Sequence, residues 1–154
     1  MGTTLRSTRE CNLDQLRPEM SEAIRAHMKF YKMGEIEPSI LICCETTSKP
    51  QKGLFATVPE TTMGMVLTTD WLIWTSEKHN ERPGVASGRL RSIDVQDFEE
   101  TAMFRVIPDA GLNITGQYSD VTKQGINFIG LGPEPAAQKF RQMLHSAVRK
   151  AEGG

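Results

Sequence analysis

Histidine, cysteine and aromatic side chains are scarce in this chain, and no hydrophobic run is long. Its 154 residues include three histidines, three cysteines and 6% aromatics. His27, His79 and His145 lie far apart, with no HxxH or HExxH spacing, so a zinc site has no sequence support. No Gly-x-Ser-x-Gly elbow presents a nucleophile. No apolar stretch approaches the ~20 residues that a membrane-spanning helix needs. Met1–Arg17 carry no apolar leader segment, and Met1-Gly2 opens like a myristoylation site but has Arg6 where Ser or Thr is wanted. Cytoplasmic residence is therefore expected. The formal net charge is −1, which leaves no global field to draw the chain towards nucleic acid or an anionic bilayer. Neither a nucleic-acid partner nor a cofactor is expected.

Cys11, Cys43 and Cys44 are an odd number, and two of them are adjacent. Neighbouring residues of a strand point to opposite faces, so Cys43 and Cys44 neither share a metal nor bridge each other. Buried thiols in a reducing compartment are the expectation, because nothing beside them in sequence marks a depressed pKa.

The content of the chain is mostly architecture. Residues 1–12 are polar and without periodicity, and read as a flexible tail. Leu13, Leu16, Met20, Ile24, Met28 and Tyr31 recur at helical spacing, which predicts an N-terminal helix within 13–34 that begins near Pro18 and stops at Gly34. Short strands follow at Ser39–Thr47, Met65–Thr68, Trp71–Thr75, Arg89–Phe98 (with one slip near Ser92), Ala102–Ile107, Leu112–Tyr118 and Ile126–Leu131. Leu54–Val58 is a weaker piece. Thr69-Asp70 reads as the tight turn of a hairpin. Trp71 and Trp74 are an odd number of residues apart, so one faces the core and the other faces away. The last segment, Pro133–Ala151, is the strongest helix. Prolines mark its start, and Ala137, Phe140, Leu144, Ala147 or Val148 and Ala151 make one apolar stripe. Consecutive strands with short loops pair as antiparallel meanders, which a single helix then covers.

Seven antiparallel strands in a bent sheet or barrel, capped by a C-terminal helix, resemble the pleckstrin-homology-like barrel. The Met65–Trp74 hairpin with its Leu72-Ile73-Trp74 run resembles a signature of bacterial pleckstrin-homology-like families. Met33-Gly34-Glu35-Ile36 resembles the Gly-Glu opening common in them. The resemblance covers 35–151, with the N-terminal helix as an addition. It implies a non-catalytic binding or assembly module acting on a protein partner or on a second copy of itself. It also implies where an anionic lipid head group would bind: Lys49 and Lys52 in the loop after the first strand, with Lys78 and Arg82 in a later loop adding charge. The basic pair expected on the second strand is missing.

A small enzyme on an antiparallel barrel is a further alternative, with Asp94, Asp97, Glu99 and Glu100 or His79 as its reacting groups. The simpler reading of those acids is a solvated sheet edge. Gly130-Leu131-Gly132, between a strand and a helix, suggests a nucleotide loop. Pro135 in the third glycine position and the lack of a following strand argue for a plain turn.

Overall fold

A computed structural model of the protein describes residues 4–50, 60–77, 84–116 and 125–153. The elements run β1 (Thr4–Glu10), α1 (Pro18–Phe30), β2 (Ile40–Pro50), β3 (Thr61–Thr68), β4 (Trp71–Glu77), β5 (Gly84–Arg89), β6 (Ile93–Asp97), β7 (Gly111–Gly116), β8 (Gly125–Gly130) and α2 (Pro135–Gly153). Eight strands among the described residues form two sheets, β1-β2-β3-β4-β5 and β6-β7-β8, and every pairing is antiparallel. Among the described residues no strand ladder joins the sheets, so there the expected barrel is not closed by hydrogen bonds.

The hairpin lies where the sequence puts it. Met65 pairs with Trp74, Val66 with Ile73 and Leu67 with Leu72. The Thr68 hydroxyl accepts the Trp71 and Asp70 N–H groups at 2.9 and 3.2 Å and closes the turn. Val66, Leu67, Leu72 and Ile73 are all fully buried because this sheet is covered on both faces. On one face, Ile42, Met65, Leu67, Leu72 and Trp74 pack with the second sheet and with Phe140, Leu144 and Val148 of α2. On the other, Cys43, Val66 and Ile73 pack against Leu16, Met20, Ile24 and Met28 of the N-terminal helical segment. Trp71 sits on that second face, half-buried, with the Arg89 guanidinium 4.6 Å from its ring centre.

The N-terminal helix packs in cis and is shorter than its apolar pattern. It ends where Lys32 takes a left-handed conformation, φ 52°, and the Met33 N–H bonds to the Met28 carbonyl at 3.0 Å. Gly34, the expected stop, is also left-handed.

Three expectations are corrected. Residues 4–10 of the supposed tail are a strand. β1 pairs with β2 from Thr4↔Pro50 to Glu10↔Cys44, and its inward face is polar: Thr8 bonds Thr46 at 2.8 Å in a buried contact. The expected Arg89–Phe98 strand is strand only over β6, Ile93–Asp97; Arg89 is the last residue of β5, and the 3-10 turn Leu90–Ser92 between them is where the chain crosses from one sheet to the other. The Ser92 slip in the alternation is the trace of that corner. Ala102–Ile107 is no strand but a 3-10 turn, Ala102–Arg105, and its continuation. The Thr101 hydroxyl donates to the Phe98 carbonyl at 2.7 Å and curls the backbone away from any ladder. Phe98 anchors the segment edge-on to Phe104 and Phe128, while Met103, Val106 and Ile107 stay exposed. No helix among the described residues is long and apolar enough to cross a membrane. Leu54–Val58 lies outside the described residues.

Candidate functional site

Of the four basic residues suggested for a head-group rim, Lys49 alone is described. It stands at the end of β2, exposed, with its ammonium 3.7 Å from Glu60. Lys52, Lys78 and Arg82 lie outside the described residues, as does His79.

The acidic cluster is divided. Asp94 and Glu100 are exposed. Asp97 and Glu99 are bound by α2: Arg141 reaches Asp97 at 3.0 Å and Glu99 at 3.1 Å, and His145 Nε2 lies 2.9 Å from Asp97. Arg141 is 12% exposed, so these charges pin the helix to the β6 end of the small sheet. Burial opposes ionisation of Asp97, but hydrogen bonds from His145 and Arg141 outweigh it and hold the carboxyl below its ordinary value. A carboxyl with a depressed folded pKa stabilises the fold at neutral pH, and that stability goes as pH falls from the unfolded value, ~3.9, through the folded one. Asp97→Asn should accordingly flatten the loss of urea resistance between about pH 5 and pH 2. An unchanged pH profile would mean that the pair contributes nothing.

The Gly130-Leu131-Gly132 turn is already occupied. The Gly132 N–H donates to Thr8 at 2.9 Å, and a side chain on Gly130 would collide with the Arg6 guanidinium. A phosphate therefore finds its backbone donor used and its space filled by β1. Among the described residues no group of three His, Cys, Asp or Glu side chains is placed to hold a metal ion.

What the sequence does not reveal is a groove of about 660 Å³ between α2 and the start of the large sheet, lined by Leu41, Thr69, Asp70, Met143, Ala147 and Lys150, with others. Its origin is a β-bulge. Ile40 pairs with Thr68 and Ile42 with Leu67, leaving Leu41 as an extra residue in β2. Residues two apart in a regular strand share a face, yet Ile40 packs towards α1 and Ile42 into the main core. The bulge accounts for that switch and turns Leu41 out to solvent, 44% exposed. Opposite it, Met143, Ala147 and Ala151 repeat every four residues along α2, so they share one flank of the helix. Two of them are alanines, too small to fill the space. Asp70, at the hairpin turn, and Lys150, on α2, supply opposite charges to the lining. The helix repeat was visible in sequence as part of the apolar stripe. The bulge had no sequence signal, because Ile40-Leu41-Ile42 is a uniform apolar run.

No family model, no curated protein and no solved structure matches this chain.

Proposed function

We propose that the protein is a non-catalytic binding module of the pleckstrin-homology-like class, and that it docks a protein segment in the groove between α2 and the bulged start of β2. Support for the class comes from the order of elements after β1 and α1: a four-strand meander, β2–β5, a three-strand meander, β6–β8, and a terminal helix packed between them. The observation that carries the site is Leu41. A large apolar side chain is turned outward by a backbone irregularity, facing an apolar helix flank left open by two alanines. Apolar surface of this kind, rimmed by a few polar groups, suits an amphipathic segment. The partner is a peptide segment with one or two large apolar anchors, a basic group to meet Asp70 and an acidic group to meet Lys150.

Peptide-display selection on the full-length protein tests this. Selected peptides should carry spaced apolar anchors, and their affinity should fall about tenfold or more with Ala147→Arg or Leu41→Asp. The exposed Asp94→Asn variant should bind as the parent does. Peptides indifferent to both groove variants would end the proposal. A mass in light scattering that rises with concentration and is restored to the single-chain value by Ala147→Arg would identify the partner as a second copy.

A further inference from the structure

Cys11 and Cys43 stand face to face. The chain continues the β1 register one residue past Glu10↔Cys44, and the Cys11 N–H bonds to the Cys43 carbonyl at 2.9 Å. Their sulfurs are 3.9 Å apart, in S–H···S contact. Directly opposed residues of an antiparallel hydrogen-bonded pair have Cα atoms about 5.5 Å apart, inside the roughly 4.4–6.8 Å range that disulfides span. Bond formation would bring the sulfurs from 3.9 Å to ~2.05 Å. Cys44 cannot compete, because it points to the opposite face, into the core beneath α2.

Both residues are buried, 8% and 3% exposed, and both border one hollow of about 410 Å³ together with Asn12, Asp14, Arg25 and Ile42 among others. The two sulfurs differ in character. The hydrogen bond from Cys43 favours the Cys11 thiolate and outweighs burial, with the Arg9 guanidinium assisting and Glu45 and Glu10 opposing. Cys43 is pushed up by the same bond and by burial, and Cys44 is pushed up to about 12, by burial first. Arg9, two residues before Cys11, is thus a basic neighbour both in sequence and in space.

We infer that Cys11 and Cys43 form a reversible redox site, in which hydrogen peroxide converts the two thiols into an intramolecular disulfide linking β1 to β2. The Cys11 thiolate attacks one peroxide oxygen; the O–O bond breaks, and protonation of the leaving oxygen releases the first water, giving a sulfenic acid on Cys11. The Cys43 sulfur then attacks the Cys11 sulfur and displaces hydroxide, which takes the Cys43 proton and leaves as the second water. Two electrons pass from the thiols to the peroxide. The bond encloses 12–42, and so ties down the segment that carries α1.

Intact-mass and peptide mapping of the native full-length protein after brief exposure to hydrogen peroxide, followed by denaturation and thiol alkylation, tests the inference. The expected product has lost two hydrogens, carries one alkyl group, on Cys44, yields a linked Cys11–Cys43 peptide and reverts with dithiothreitol. Cys44→Ser should form the same bond. Cys43→Ser should leave a Cys11 sulfenic acid that dimedone traps. Three alkylated cysteines in the native protein at peroxide doses that oxidise an unfolded sample would overturn the inference. A linkage through Cys44 or a cross-linked dimer as the main product would overturn it equally.

Discussion

Replacing Phe140 by alanine should remove about 3–5 kcal/mol of stability, a large part of what a domain of this size possesses. Phe140 has no exposed surface, and it lies at the centre of the α2 face that fills the space between the two sheets. Neighbouring positions offer no repair. Met65, Leu67, Leu112 and Ile129 around the same core are also fully buried and belong to paired strands, so the cavity cannot collapse without disturbing a ladder. Urea unfolding would register the loss as a lower midpoint with an unchanged slope, and the melting temperature should drop by about 10 °C. A loss under about 1 kcal/mol would show that α2 is an accessory and not the lid of the core.

Arg6→Ala should cost about 2–3 kcal/mol, less than a fully buried pair and more than a surface one. Arg6 reaches Asp109 with two bonds, 3.0 Å from Nε and 2.7 Å from the terminal nitrogen, and also bonds Ser48. Its guanidinium lies 5.2 Å from the centre of the Phe128 ring. Arg6 and Asp109 are 15% and 24% exposed, which places the pair between the two regimes. Truncation takes both Arg6 bonds from Asp109 and leaves its carboxylate the Ala110 N–H, at 2.8 Å. The effect should be local as well as global: amide exchange at Thr8 and Gly132, which hold β1 to the loop before α2, should accelerate. A double-mutant cycle with Asp109→Asn should return a coupling near the single-mutant loss, and additive losses would remove the pair from the account of β1 docking.

These two residues also show why one part of the fold was legible and another was not. Phe140 belongs to a stripe of helical period, and the stripe Ala137, Phe140, Leu144, Val148 is the buried face observed. The hairpin was readable for a similar reason, because Val66-Leu67 and Leu72-Ile73 are apolar on both sides of a two-residue turn. β1 was hidden by its chemistry. Its inward side chains are Arg6 and Thr8, which bury themselves by hydrogen bonding, and its one large apolar residue, Leu5, is exposed. β5 was hidden by size: Ala86, Ser87 and Gly88 are small because α1 and the core press on both sides, with His27 of α1 bonded to Ser87 at 2.8 Å. Met103, Val106 and Ile107 misled in the opposite direction, having β-like composition in a segment that the Thr101–Phe98 bond starts as a 3-10 turn. The groove escaped notice because a bulge changes the direction of Leu41 without changing the residues around it.

The position of β1 sets the order in which this protein can be completed. Its contacts with the far end of the chain are among the longest in the molecule by sequence: Arg6 to Asp109, Thr8 to Gly132 and Glu134, Glu10 to Lys139. Such contacts carry the full loop-closure entropy of the intervening chain. β1 can pair with β2 as soon as both strands exist, yet the groups that seal its outer edge lie 103 to 129 residues further along the chain. Until those groups are in place β1 is held on one side alone, and its final locking waits on the segment that leads into and forms α2.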